Sequence, residues 1–343
     1  MNDSIAVSSM LGNWRDAALS LEESVGQVVA GQSRAIRLMT IAIFARGHVL
    51  LAGDVGVGKT TLLRAVARAI GGAYERVEGT VDMMPGDLLY HTYIADDGRP
   101  RVEPSSILGK AGELSTFFFN EINRARPQVH SLLLRLMAER SVTAFNRTYD
   151  FPYVQVYADR NRVEKEETFE LPAAARDRFF MEIPIEAPAD AEVRRQLIFD
   201  PRYHDTDSLL TAIDKPILDY QTLVAAATTI QKAIHTSDSV QRYVVRLWEA
   251  TVRPGKMGIA LPAIDMDRLV QGGASPRGFA FLVKAARVRA WLEGRDMLVP
   301  EDVRDVFLAT VAHRVFLDPV YELRREQIVL ELCESVLKTV PAP

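Results

Sequence analysis

The segment Gly53-Asp54-Val55-Gly56-Val57-Gly58-Lys59-Thr60 carries the densest chemical signal in the chain. It fits the pattern G-x-x-x-x-G-K-[ST] of a loop that wraps phosphate, and it follows directly on the apolar run His48-Val49-Leu50-Leu51-Ala52. Glycines allow turns that bulkier residues resist, so successive N–H groups can point inward at phosphate oxygens while the next helix presents its positive end. Lys59 is expected to reach the β- and γ-phosphates, Thr60 to offer a hydroxyl to magnesium, and Thr61 to follow on the same turn. A nucleoside triphosphate, ATP with Mg2+, is the expected ligand.

Four further sites could supply the remaining chemistry. The apolar strand Phe117-Phe118-Phe119 ends in Asn120-Glu121. A carboxylate at that place can orient a water and accept its proton, which makes Glu121 the candidate general base. Asn120 occupies the place of the usual metal-directing carboxylate and lacks its charge, so it would act on the magnesium side, with Thr60, through water. Asn161, after Asp159-Arg160, could hydrogen-bond both the γ-phosphate and the attacking water. Arg178, in Arg176-Asp177-Arg178-Phe179-Phe180, could reach a nucleotide held by a neighbouring subunit. Arg277 opens a helix after Gly272-Gly273-Ala274-Ser275-Pro276 and could contact the γ-phosphate if a helical lid folds over the sheet.

The elements needed to hold these residues can be read from periodicity. Two helical patterns over 14–45 lead into strand 48–52, and the order then alternates: helix 60–70, strand 74–78, an irregular insertion near 80–112, strand 115–119, helix 127–140, a hairpin-like 142–153, and strands 154–158 and 181–185. Pro127 suits a first helical turn, and Val129, Leu132, Leu133, Leu136 and Met137 fall on one face. The fold class expected is α/β, a parallel sheet flanked by helices. At Pro184-Ile185-Glu186-Ala187-Pro188 strand-like runs give way to helical periodicity, with candidates at 190–199, 215–234, 239–252, 277–293, 301–312 and 321–338 and a loop at 253–275. The expected division is 1–187 for the N-terminal helices and nucleotide-binding domain and 188–343 for an all-α lid.

With 343 residues, the chain is long enough for two domains, each with its own core. A formal net charge of −4 gives no global attraction to nucleic acid or anionic lipid, and no DNA-binding module is evident. Its single cysteine, Cys333, cannot form an internal disulfide, and the six histidines lack zinc-ligand spacing. Neither a signal-like start nor a membrane-length apolar run is present, so no membrane insertion and a cytoplasmic location are expected.

Taken together, Gly53 to Thr60, Asn120-Glu121-Ile122-Asn123-Arg124-Ala125, Asn161, Leu171-Pro172 through Asp177-Arg178-Phe179, Gly273-Ala274-Ser275-Pro276-Arg277, and Leu292-Glu293-Gly294-Arg295-Asp296 through Pro300-Glu301-Asp302-Val303 resemble the MoxR family of AAA+ ATPases, over roughly 20–330. The resemblance implies a P-loop AAA+ domain with a C-terminal all-α lid, Lys59 and Thr60 in Walker A, and Glu121 in Walker B. It further implies Asn161 as sensor 1, Arg178 as an arginine finger acting in trans, and Arg277 as sensor 2. A ring homo-oligomer, a hexamer, follows from the same likeness, with 80–112 and 142–153 projecting toward a client. A partner containing a von Willebrand factor A domain is likewise implied, as is a chaperone-like role in maturing a client enzyme. Two departures, Asn120 for the usual aspartate and Asp159-Arg160-Asn161-Arg162 for the common Thr-Gln-Asn-Pro, resemble the branch tied to methanol dehydrogenase activation. The alternative expectation is an ATP-gated assembly scaffold that hydrolyses very slowly because Asn120 lacks a charge.

Overall fold

A computed structural model of the chain describes residues 2–161 and 169–343, without the side chains of 2–6. Two helices, α1 (Asn2–Val28) and α2 (Ser33–Phe44), precede the first core strand β1 (Val49–Ala52), which the phosphate loop joins to α3 (Lys59–Ile70). Next come β2 (Ala73–Glu78), β3 (Leu114–Asn120), α4 (Pro127–Glu139), β4 (Gln155–Arg160) and β5 (Met181–Pro184). The five strands form one sheet in the order β2-β3-β4-β1-β5, every pair parallel. Ligands of such sheets bind beyond the carboxyl ends of the strands. The P-loop, Asn120-Glu121 and Asp159-Arg160-Asn161 all lie at those ends.

Parallel strands covered on both faces are apolar throughout, and β1 and β3 are buried at every residue. Because side chains alternate along a strand, the inner strands β1, β3 and β4 each feed two cores. Val49, Leu51, Phe118, Tyr157, Met181 and Ile183 enter one, while Leu50, Phe117, Phe119, Val156 and Ala158 enter the other. The second core is closed by α4 and by residues of the insertion and hairpin, among them Leu88, Ile107, Val142 and Phe151.

Helix α5 (Ala191–Phe199) follows β5, and the first core extends into the helices beyond it: α6 (Leu223–Ala233), α7 (Asp238–Val252), α8 (Pro276–Leu292), α9 (Pro300–Val311) and α10 (Arg325–Thr339). Leu21, Ile41 and Val66 belong to the same buried cluster as Ile230, Leu282, Phe307 and Leu332. The two segments therefore do not have separate cores, as their lengths had suggested; α1 and α2 bridge sheet and C-terminal helices. The segment from Leu292 to Val303 has a structural task at this junction. Asp302, wholly buried, accepts Val299 N–H (3.0 Å) at the start of α9 and pairs with Arg295 (2.6 Å) and Arg289.

Elsewhere the helical segment departs from its sequence pattern. The expected helix 215–234 begins only at Leu223, because Ile217 and Leu218 donate their N–H groups to Ala69 O at the end of α3 (2.8 and 3.0 Å) in an extended leg that starts at Pro216. A single-turn helix, Thr206–Leu210, precedes it. Within 253–275, expected as loop, Val270–Gly272 pairs antiparallel with Phe316–Leu317. The insertion 80–112 contains an antiparallel hairpin, Tyr90–Ile94 with Pro100–Pro104, and the hairpin before β4 pairs Ser141–Ala144 with Arg147–Asp150. Among the described residues no helix is long and apolar enough to cross a membrane.

Candidate active site

Past Ala52 the chain must turn tightly between two neighbouring strand ends. Gly53 donates its N–H to Arg160 O (3.3 Å) on one side, and on the other a Cβ at Gly53 would lie 2.1 Å from Ile185 O. Only a hydrogen fits there. Gly56 and Gly58 have φ of +81° and +93°, backbone that side chains resist. Gly58 caps α3 without a side-chain hydrogen bond, and the first turn contains no acidic residue, so the first-turn N–H groups face an anion site with no competing carboxylate of their own. Thr60 and Thr61 follow, half-buried, on that turn.

Lys59 is buried, at 6% exposure, and its ammonium is fully engaged. Nζ donates to Gly53 O (2.6 Å), Asp54 O (3.0 Å) and Asn161 Oδ1 (2.7 Å), and lies 3.6 Å from Asp159 Oδ2. Asn161 uses the other end of its amide to donate to Glu121 Oε1 (3.2 Å). One amide thus links the cation of the phosphate loop to the candidate base.

Glu121 reaches this position through a left-handed backbone, φ +54° and ψ +50°, which costs a non-glycine residue about 1–2 kcal/mol. Several contacts hold the turn. The Glu121 N–H donates to Asp159 Oδ1 (2.6 Å), its carbonyl accepts Arg124 N–H (2.9 Å), and Gly79 packs so close that a Cβ there would meet Glu121 O at 2.4 Å. Beneath it His130, kept neutral by burial, reaches Ile122 O through Nε2 (2.8 Å). The carboxylate's second oxygen pairs with Arg124 (3.1 Å).

Asp159 is a further member of this site, one for which the motifs alone give no role. It is 2% exposed, and the register that pairs Phe119 with Ala158 sets it beside Asn120. The Asn120 amide nitrogen faces Asp159 Oδ1 (3.3 Å) and its oxygen faces Arg76 (3.2 Å). Burial raises the Asp159 carboxyl above its ordinary range, opposed by the Glu121 N–H and by Lys59. The signal available in the sequence was a pair of departures: a carboxylate lost at 120 and one present at 159.

The two arginines lie at a different corner. Arg178 donates to Ala174 O (3.0 Å), and Arg277 is held by Asp177 (3.1 Å), so neither touches Lys59, Asn161 or Glu121. Asp177 also accepts the Ser275 hydroxyl (2.7 Å) and lies 3.4 Å from the wholly buried Arg314. Arg314 fixes the backbone before β5 by donating to Asp177 O (3.3 Å), Phe180 O (3.4 Å) and Phe179 O. Arg162 lies outside the described residues.

A cavity of about 440 Å3 opens between α1 and α2, lined by Glu22, Val29, Gly31, Gln32 and Arg37. No residue type or spacing around Gly31-Gln32 marks it in the sequence. Gln32 donates to Glu186 O (2.7 Å), next to the Ile185 carbonyl that abuts Gly53, so this wall is tied to the phosphate loop.

The family model described as ATPase family associated with various cellular activities (AAA) matches residues 48–181, and the one described as AAA lid domain matches 263–332. "Protein MoxR" of Methylorubrum extorquens is 69% identical over 335 residues, 98% of each chain. "Protein MoxR" of Paracoccus denitrificans is 55% identical, over 98% of this chain and 99% of the relative. "Chaperone MoxR1" of Mycobacterium tuberculosis is 32% identical, over 93% and 80%. A crystal structure from Cytophaga hutchinsonii, of a protein assigned as an ATPase, superposes with a TM-score of 0.81 at 27% identity, covering 100% of this chain and 98% of that one.

Proposed function

This chain belongs to the MoxR family of AAA+ ATPases, and on that premise we propose that it binds ATP with Mg2+, hydrolyses it at the subunit boundaries of a ring, and uses the resulting motion to activate a client enzyme complex. The observation that carries this reading is the continuous Lys59–Asn161–Glu121 network at the mouth of a loop whose backbone donors are uncapped. The loop fits a polyphosphate on three counts: two positive-φ glycines, a helix start without acid, and a buried ammonium.

In this reading Gly53 to Thr61 hold the nucleotide, and the wall at Gly31-Gln32 is the natural seat for its base. Magnesium, held from Thr60 and the side of Asn120, would supply positive charge against the phosphates. Lys59 neutralises phosphate charge where it develops, and Asn161 fixes the direction of both Lys59 and Glu121. Glu121 accepts the proton of the attacking water. Arg178 and Arg277, away from their own subunit's Lys59, are suited respectively to a neighbour's site and to a lid that closes on nucleotide. The division at 187 follows this mechanical sense, sheet against lid, even though the two share a core.

Assembly and client rest on surface features. Helix α5 buries none of its residues within the chain and exposes Ile198 and Phe199, which suits a subunit contact. The two hairpins carry exposed Tyr90, Tyr93, Ile94, Val102 and Phe145, with Tyr90 and Phe145 ring to ring (6.1 Å), a patch fit for a client or a von Willebrand factor A partner. Methanol dehydrogenase is the proposed client, on the likeness at Asn120 and Asp159 to Asn161, and the cytoplasm the proposed location.

The test is steady-state ATP turnover with mass read in the same samples. Glu121→Gln and Arg178→Ala should each lose turnover at least ~100-fold while still assembling. Mixed one to one, they should recover about a quarter of wild-type turnover, since a quarter of random junctions join an intact base to an intact finger. Turnover that survives in either variant, or a mixture that stays silent, would sink the proposal.

A further inference from the structure

We propose that Asp159 is the metal-positioning carboxylate of this chain, taking over from the strand beside it the charge that position 120 lacks. The inference rests on the nucleotide-site reading above. A magnesium–triphosphate site needs an anionic group near the phosphate loop to hold the metal's waters, and a neutral amide does this poorly. Asn120 cannot supply that charge.

Among the described residues the geometry offers Asp159 as the replacement. Asp159 sits one step beyond the Phe119–Ala158 pair, 3.3 Å from the Asn120 amide and 3.6 Å from Lys59 Nζ. It is nearly inaccessible, and a buried carboxylate persists only where partners repay its desolvation. Here the partners are the Glu121 N–H (2.6 Å), the Asn120 amide and Lys59. The same carboxylate holds the left-handed turn of Glu121 by its first oxygen and faces the phosphate loop with its second. Metal positioning and placement of the base thus depend on one side chain.

Asn120 also has a reason to be an amide. Two carboxylates at this separation would repel, so an amide at 120 is the better neighbour for a charge at 159. An amide at 120 instead donates to Asp159 and accepts from Arg76. The pair holds one negative charge, moved by one strand.

The experiment measures binding of adenylyl imidodiphosphate, a non-hydrolysable ATP analogue, in EDTA and in Mg2+. For the wild type Mg2+ should tighten binding at least ~10-fold. Asp159→Asn should keep its EDTA affinity within about threefold and lose the Mg2+ enhancement, and the exchanged pair Asn120→Asp/Asp159→Asn should regain it. Asp159→Asn with an unchanged Mg2+ enhancement overturns the assignment of Asp159 alone. A loss that the exchanged pair does not repair also overturns it, since the residue then serves only the fold. Failure of the wild type to bind the analogue in any condition overturns the nucleotide-site reading itself.

Discussion

Replacing Asp177 by asparagine is expected to lower the stability of the nucleotide-free chain by about 2–4 kcal/mol. Asparagine keeps the shape and an oxygen for the Ser275 hydroxyl, 2.7 Å away, so the change is one of charge. Two cations lose their counter-ion. Arg277, half exposed at 53%, contributes at most about 1 kcal/mol, because water and salt screen such a pair. Arg314 is wholly buried, and burial already brings its guanidinium down to about 10, an effect that Asp177 opposes. Breaking a buried pair by removing one partner costs about 3–5 kcal/mol. The figure is reduced because Asp177 is itself 19% exposed and because the carbonyls of Asp177, Phe179, Phe180 and Thr310 still accept from Arg314. Urea unfolding followed by tryptophan fluorescence suits the assay, since Trp248 donates to Ala274 O (2.8 Å) beside this corner. Arg277→Ala serves as the exposed-pair control. A loss in Asp177→Asn no larger than that of Arg277→Ala would refute the claim that Arg314 depends on this carboxylate.

Acid should weaken the fold through its histidines. Burial lowers His48 to about 3 and puts His313 well below its ordinary value, so the unfolded chain gains these protons first, and stability present above about pH 6.5 is lost as pH falls toward the folded values. The slope is about 1.4 kcal/mol per pH unit for each fully titrating histidine. His48 accepts Val156 N–H at Nδ1 (2.9 Å) and meets Met137 O through Nε2 (3.1 Å), an arrangement suited only to the neutral ring. Thermal unfolding that is level between pH 7 and 5 would contradict this. In the phosphate loop, Gly53→Ala should lower stability by at least ~2 kcal/mol, because its Cβ strikes the Ile185 carbonyl at 2.1 Å and parts β1 from β5. Gly56→Ala, with nothing within 4 Å, should lose only the roughly 1–2 kcal/mol of left-handed strain. Equal melting shifts for the two would show that the crowding at Gly53 is not felt.

The local elements were legible wherever a short stretch of chain decides its own conformation. The phosphate loop is such a stretch, since positive-φ glycines, a capless helix start and Lys59 lie within eight residues. Helix α4 is another, begun by Pro127 and sided by Val129, Leu133 and Leu136. Strand β3 announced itself by an apolar run buried on both faces. Helix α6 is shorter than its sequence pattern, because the turn before it is set by Ala69, a residue far away along the chain.

Composition and spacing by themselves determined a phosphate loop, a parallel α/β sheet followed by helices, and the ends of strands as the place of chemistry. What tertiary structure alone decided is which of those ends touch. Strand order is a global property, and no local pattern states that β3 and β4 are neighbours in register, so the meeting of Asn120 with Asp159 lay beyond the sequence. The same holds for Arg277 on Asp177 and for the core shared by α1, α2 and the C-terminal helices. Burial then changes the value of a charge, because a carboxylate closed off from water is worth keeping only beside the groups that repay its desolvation.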